Sequence, residues 1–229
     1  MDLSIVLAYK PTKVTIGELF ELLQFQEKDA KEQIAQFVYN RLYERYIEPS
    51  ELLIKLQNEK LQDKLQKENL PPETIDTIDT IDTIKEVDKL KLGFSIMANM
   101  CLLIETFQAF KKGWVDTDGK SKQAFLDFFK DYQKKFDDIK GEVFYKNIRC
   151  GILHQGETTG SWKLQIDAEA QKCADNKKLI IYSRIFLDRM KDVLDQYKQD
   201  LEQKDLLSEE WLNCRIKLHA ILGNCIRVK

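Results

Sequence analysis

The chain is short of the residues that build metal and redox centres. It has two histidines, His154 and His219, and neither Cys-x2-Cys nor His-Glu-x-x-His occurs, which argues against a zinc site made by the protein itself. Its five cysteines, at 101, 150, 173, 214 and 225, are an odd number without paired spacing. Cys101, Cys214 and Cys225 lie among apolar residues at helical positions and read as small core residues in a reducing compartment. Gly-x4-Gly-Lys-Ser/Thr and Gly-x-Gly-x-x-Gly are both missing, so the standard phosphate cradles are excluded. Charge of one sign is missing too. Lys and Arg number 36 against 38 Asp and Glu, a net of −2, so no global basic field announces nucleic acid, and any RNA contact must come from a local patch. No apolar run reaches the length of a membrane span, and the first residues lack the plan of a signal peptide. The expectation is a cytoplasmic protein with no membrane partner, no cofactor and metal-free chemistry.

Helical material is abundant. With nine Gly and four Pro in 229 residues, and Lys, Glu, Asp, Gln and Leu in excess, the composition is that of an all-α protein. That length can bury one sizeable core, so 1–229 reads as a single helical domain with a variable arm and repeat at about 50–85. Thr15-Ile-Gly-Glu18 has the spacing of a capping box and opens a helix. Apolar positions Ile34, Phe37, Val38, Leu42, Tyr43 and Tyr46 continue at helical spacing, and Arg41 and Arg45 read as a solvated, salt-bridged face. Pro49-Ser50 is expected to break this helix and cap the next, Glu51–Asn69. Thr74–Ile84 repeats Thr-Ile-Asp with a period of three, which fits neither helix nor strand, and reads as a tandem duplication without chemistry. Lys85–Lys112 is apolar nearly all round and should run through the centre. Glu105 sits inside that stretch; either it is buried with a partner, for which Arg149 is the candidate, or it reaches solvent at a helix edge. Ser121 is expected to cap Lys122–Ile139, whose Phe125, Phe128, Phe129, Tyr132 and Phe136 read as core rather than a base-stacking surface. Ser161–Asp167 and Lys178–Tyr182 are expected to pair as a small hairpin. Ser183 and Ser208 should cap the last two helices. His219 reads as structural.

The stretch on which the rest turns is Gly141–Gly156, one amphipathic helix of about four turns closed by a glycine cap. Val143, Phe144, Ile148, Ile152 and Leu153 form its apolar stripe. Arg149 and His154 stand among them, about 140° apart around the axis, so they can flank a cleft but do not make a simple i, i+4 pair. His154 lies in the last turn, where the helix dipole favours a cation. Lys140, Lys146, Arg149 and Lys163 against Glu142 and Glu157 make the neighbourhood mildly positive. On spacing alone, such an Arg and His most often serve packing and capping.

The segment Phe144-Tyr-Lys-Asn-Ile-Arg149-Cys-Gly-Ile-Leu-His154-Gln-Gly-Glu157 resembles the Arg-x4-His motif of the HEPN superfamily. Gly93-Phe-Ser-Ile-Met-Ala and Leu102-Leu-Ile-Glu105-Thr-Phe upstream are similar to segments of small bacterial members, so the resemblance covers roughly residues 93–160. It implies an up-and-down helical bundle, a homodimer that joins two motif helices, and often a metal-independent endoribonuclease of toxin–antitoxin or antiviral systems. On that resemblance, Arg149 would hold the scissile phosphate and His154 would move the proton. Tyr145, Lys146 and Asn147 would contact substrate, and Glu105 would support the site. The 2′-hydroxyl of RNA is its own nucleophile, so a 2′,3′-cyclic phosphate and a 5′-hydroxyl are the implied products. Two departures stand out. Cys150 replaces the polar residue that often follows the motif arginine, and Gly156 stands where some toxins carry a tyrosine modified by their antitoxin. The competing readings are a non-catalytic module binding RNA, nucleotide or a protein, and an unrelated helical adaptor.

Overall fold

A computed structural model of the chain describes residues 6–8, 13–24, 28–67, 92–166 and 170–226. A short antiparallel ribbon, β1 (Val6–Ala8) with β2 (Val14–Thr15), leads into helix α1 (Ile16–Leu22). The capping box at α1 is complete: Glu18 N–H donates to Thr15 Oγ1, and Thr15 N–H donates to the Glu18 carboxylate at 2.7 Å.

Helix α2 (Lys28–Leu42) does not stop before Pro49. It passes through a π-helical turn, Tyr43–Ile47, into α3 (Glu48–Lys67). Sequence reasoning places a break here because proline has no N–H for the ladder. The widened turn, in which Glu48 N–H reaches back to the Tyr43 carbonyl, lets the chain run on. Ser50 is accordingly no N-cap; it is buried and its hydroxyl donates back to the Tyr46 carbonyl at 2.7 Å. The Thr-Ile-Asp repeat lies outside the described residues.

The central helix, α4 (Leu92–Lys112), buries Ile96, Met97, Met100, Leu103, Ile104, Phe107 and Phe110. It is long and apolar enough to cross a membrane by length and composition, which corrects the expectation that no run reaches that length. Most of it is enclosed by the other helices, as expected of a core element. Helix α5 (Ser121–Asp131) is shorter than its aromatic pattern suggests. A 3₁₀ turn (Gln133–Phe136) and two aspartates in the left-handed region, Asp137 and Asp138, follow it. Ser121 makes no cap; its hydroxyl is buried without a partner among the described residues.

The aromatic stripe is core. Phe129 and Phe136 pack on Phe144 and Phe186 with ring centroids 4.7–6.4 Å apart, and Phe144 stacks on Phe186 at 5.4 Å. Such pairs add about 0.5–1.5 kcal/mol each beyond their area burial. They fix the motif helix against α5 and α8 (Ser183–Gln203).

After the motif helix comes a three-stranded sheet in the order β3 (Lys163–Gln165), β5 (Ile180–Tyr182), β4 (Ala174–Asp175). The small hairpin is β4 with β5, whose turn is tied by Asp175 Oδ1 accepting from the N–H groups of Lys177 and Lys178. The two segments expected to form it do pair, but in parallel: Lys163 with Ile180, Leu164 with Ile181. β4 takes the antiparallel edge of β5 and leaves β3 the other. Ser183 does not cap α8; Tyr182 holds that position, and the Ser183 hydroxyl is turned to the Gly93 carbonyl at 3.4 Å. Ser208 does cap the last helix, α9 (Glu209–Ile226), accepting from Trp211 N–H. The architecture is a helical bundle with a small hairpin.

Candidate active site

The motif segment is one continuous helix in three pieces: α6 (Gly141–Phe144), a π-helical turn (Tyr145–Arg149) and α7 (Cys150–Gln155). Gly156 ends it with φ +74°, as the glycine cap requires. The wide turn was not legible in the sequence, because its apolar spacing departs little from the α-helical period. Inserted π turns recur at functional sites, where they re-aim side chains.

Arg149 leaves the end of that turn and is gripped from several sides. Its Nε donates to Glu105 Oε1 at 2.8 Å, with side-chain exposures of only 16% and 12%. Its guanidinium lies 5.6 Å from the centroid of the Tyr145 ring, one turn back. Its Nη1 stands 3.1 Å from His154 Nε2. The long guanidinium arm spans the 140° that separates the two positions, so residues expected only to flank a cleft are in direct contact. A guanidinium can only donate, so Nε2 accepts here, and the proton of the neutral ring belongs on Nδ1. Burial works to lower the Arg149 pKa. The hydrogen bond and charge of Glu105 outweigh it, with a smaller contribution from the Cys150 thiol, and the net direction is upward.

Glu105 and Arg149, the candidate pair read from a lone carboxylate in an apolar helix, thus meet as a part-buried ion pair. His154 is exposed at the rim. Lys146 is exposed as well. Asn147 points elsewhere: its side-chain oxygen accepts from Thr159 Oγ1 at 3.1 Å, and its carbonyl accepts from Thr159 N–H at 2.9 Å. It fastens the loop 157–160 and makes no hydrogen bond to Arg149 or His154. That loop returns directly over Gly151, where a Cβ would stand 2.4 Å from the Glu157 carbonyl oxygen. Gly151 and Thr159 therefore shape the surroundings of His154, and sequence reasoning missed both, since neither carries a charge or a titrating group.

Cys101 lies one turn before Glu105 on α4, buried, and burial pushes its thiol well above the ordinary range. It reads as core. Among the described residues, no group of three or more His, Cys, Asp or Glu stands together to hold a metal.

Chemically, the arrangement offers an anchored cation with unused N–H donors beside an exposed imidazole. A guanidinium is a group able to bind phosphate, and an imidazole one able to move a proton. Compared with known proteins, the chain matches no protein-family profile, no curated protein and no solved structure.

Proposed function

We propose that this protein is a metal-independent endoribonuclease of the HEPN type, with Arg149 and His154 as its catalytic residues. The observation that carries the reading is the 3.1 Å approach of the Arg149 guanidinium to the His154 imidazole, with Arg149 anchored by Glu105 at 2.8 Å. In the proposed reaction the phosphate of a bound RNA takes Nη1 away from Nε2. The free Nε2 accepts the proton of the 2′-hydroxyl, whose oxygen attacks phosphorus. The P–O5′ bond breaks, the 5′-oxygen takes a proton, and a 2′,3′-cyclic phosphate remains. Arg149 holds the charge that builds on the non-bridging oxygens, where a charge-assisted hydrogen bond is strongest. An imidazole titrates in the range where it can serve as base or acid.

The reading includes a homodimer through the motif helix. On α4, Asn99 and Thr106 are turned to α3 and its preceding turn, and Glu105 is turned to Arg149. At 100° per residue Leu102 falls between these directions, and it is exposed, as is Leu153 beside His154. Apolar side chains exposed at the rim of a charged site suit burial by a twofold copy. Such a copy would bring a second His154 to act as the acid. The biological role that goes with this reading is a cytoplasmic toxin or antiviral-defence effector, held in check by a cognate antitoxin or defence partner.

A second reading, a non-catalytic module that binds RNA, nucleotide or a partner protein, is favoured by one feature. The nitrogen that must act as base is already engaged by Arg149. Incubation with single-stranded RNA in EDTA separates the two. The nuclease cuts, and His154→Ala and Arg149→Ala each abolish cutting in proteins that remain folded. The module binds without cutting.

A further inference from the structure

Tyr145 and Arg149 stand at the two ends of the π-helical turn, where Cys150 N–H reaches back to the Tyr145 carbonyl. Four positions of an α-helix cover about 400°, which would leave their side chains roughly 40° apart around the axis. A π turn takes more residues per revolution and narrows that offset. The Arg149 guanidinium accordingly lies over the Tyr145 ring, 5.6 Å from its centroid.

The ring is itself seated on the core. It lies 5.7 Å from the ring of Phe125, which is fully buried and stacks on Phe144. The two backbones are close here: Gly141 approaches α5 so nearly that a Cβ would meet the Phe125 carbonyl oxygen at 2.6 Å and the Leu126 Cα at 2.9 Å. Tyr145 is half-buried as a result.

Arg149 needs such a support. Glu105 takes its Nε–H at 2.8 Å, and one hydrogen bond, unlike a bidentate pair, leaves the guanidinium plane free to turn. The 3.1 Å contact of Nη1 with His154 Nε2 is the one that a bound phosphate displaces in the proposed reaction. With that contact gone, the Tyr145 ring still covers the guanidinium and resists its turning.

We infer that Tyr145 is a positioning residue for the proposed reaction. Its ring, and not its hydroxyl, holds the Arg149 plane so that the N–H groups left free by Glu105 face the scissile phosphate. The inference rests on the nuclease reading above.

Steady-state cleavage of a short single-stranded RNA in EDTA by wild type, Tyr145→Leu and Tyr145→Phe tests it. Tyr145→Leu should lower kcat about tenfold or more with KM little changed, because a misplaced charge costs rate in the transition state. Tyr145→Phe keeps the ring and should recover kcat to within about threefold of wild type. Three results would overturn the inference. A loss in Tyr145→Phe as large as that in Tyr145→Leu assigns the hydroxyl to substrate. A raised KM with kcat intact in Tyr145→Leu makes the ring a base-stacking surface. A Tyr145→Leu protein that cuts like wild type and only melts lower leaves the ring as packing. Urea unfolding of Tyr145→Leu, Arg149→Ala and the double variant is independent of cutting. The midpoint lost through Tyr145→Leu should be smaller when Arg149 is already alanine, and equal losses in both backgrounds would refute the contact. A wild type that cuts no RNA overturns the nuclease reading, while the urea cycle still decides whether the ring holds Arg149.

Discussion

Replacing Gly151 by alanine tests how the loop behind His154 is held. A Cβ there would meet the Glu157 carbonyl oxygen at 2.4 Å, the Thr158 Cα at 3.2 Å and the Thr159 nitrogen at 3.2 Å, all backbone atoms that cannot rotate away. Relieving the clash moves the loop by on the order of 1 Å, an overpacking cost of about 1–3 kcal/mol. The shift also strains Glu157 N–H to Gly151 O at 3.3 Å and Thr159 N–H to Asn147 O at 2.9 Å, each worth about 1 kcal/mol. Against this, alanine in a helix interior gains about 1 kcal/mol over glycine. The balance is a loss of roughly 1–3 kcal/mol, or a fall of about 2–12 °C in melting temperature for a chain of this size. Gly223 is the control: it is also helical, but nothing lies within 4 Å of its added Cβ. Gly223→Ala should therefore keep the propensity gain and rise by about 1–4 °C. Thermal melts followed by circular dichroism decide the matter. A Gly151→Ala protein as stable as Gly223→Ala would show that the loop does not press on the motif helix.

Glu105→Gln should cost about 1.5–3 kcal/mol, the range for a hydrogen bond to a charged group, and should depress RNA cleavage by loosening Arg149; undiminished cleavage would remove Glu105 from the site. Trp211→Phe leaves the Leu201 carbonyl, now bonded by Nε1 at 2.7 Å, without its donor, and urea unfolding should register a loss of about 1–3 kcal/mol. Acid should weaken the contact between α3 and α8. Burial raises the Glu51 pKa, but hydrogen bonds from Lys191 and Tyr43 outweigh it and hold it below the ordinary 4.5. The stability it contributes is complete above 4.5 and fades as pH falls through the lower folded value, so Glu51→Gln should flatten the acid limb of the urea midpoint.

Local signals were well written in the sequence. Thr15 and Glu18 formed the box their spacing implied, Ser208 capped α9, and Phe125, Phe128 and Phe129 of α5 went inward with Phe136 of the turn that follows. Glu105 pairs with Arg149, one of the two outcomes open to a carboxylate in an apolar helix, the other being solvent at the helix edge. The failures share a cause of another kind. The π turns at Tyr43–Ile47 and Tyr145–Arg149 shift the phase of a helix by a single residue, which an apolar period does not locate. Parallel pairing of β3 with β5 was illegible because alternation marks a strand without giving its direction. The tie of Asn147 to Thr159 was illegible because a polar group gives no hint that a residue twelve positions on folds back to meet it. The contact of Arg149 with His154 needed the length of the arginine side chain as well as the angle between the two Cα positions.

Cleavage of single-stranded RNA in EDTA by wild type, His154→Ala and Arg149→Ala, with analysis of the product ends, bears most directly on the proposed centre. His154 is exposed, so its alanine variant should stay within about 0.5 kcal/mol of wild-type stability while losing all cutting. Wild type should leave a 2′,3′-cyclic phosphate and a 5′-hydroxyl. Cutting that survives His154→Ala, or a wild-type protein that binds RNA and leaves it intact, would contradict a nuclease built on these two residues.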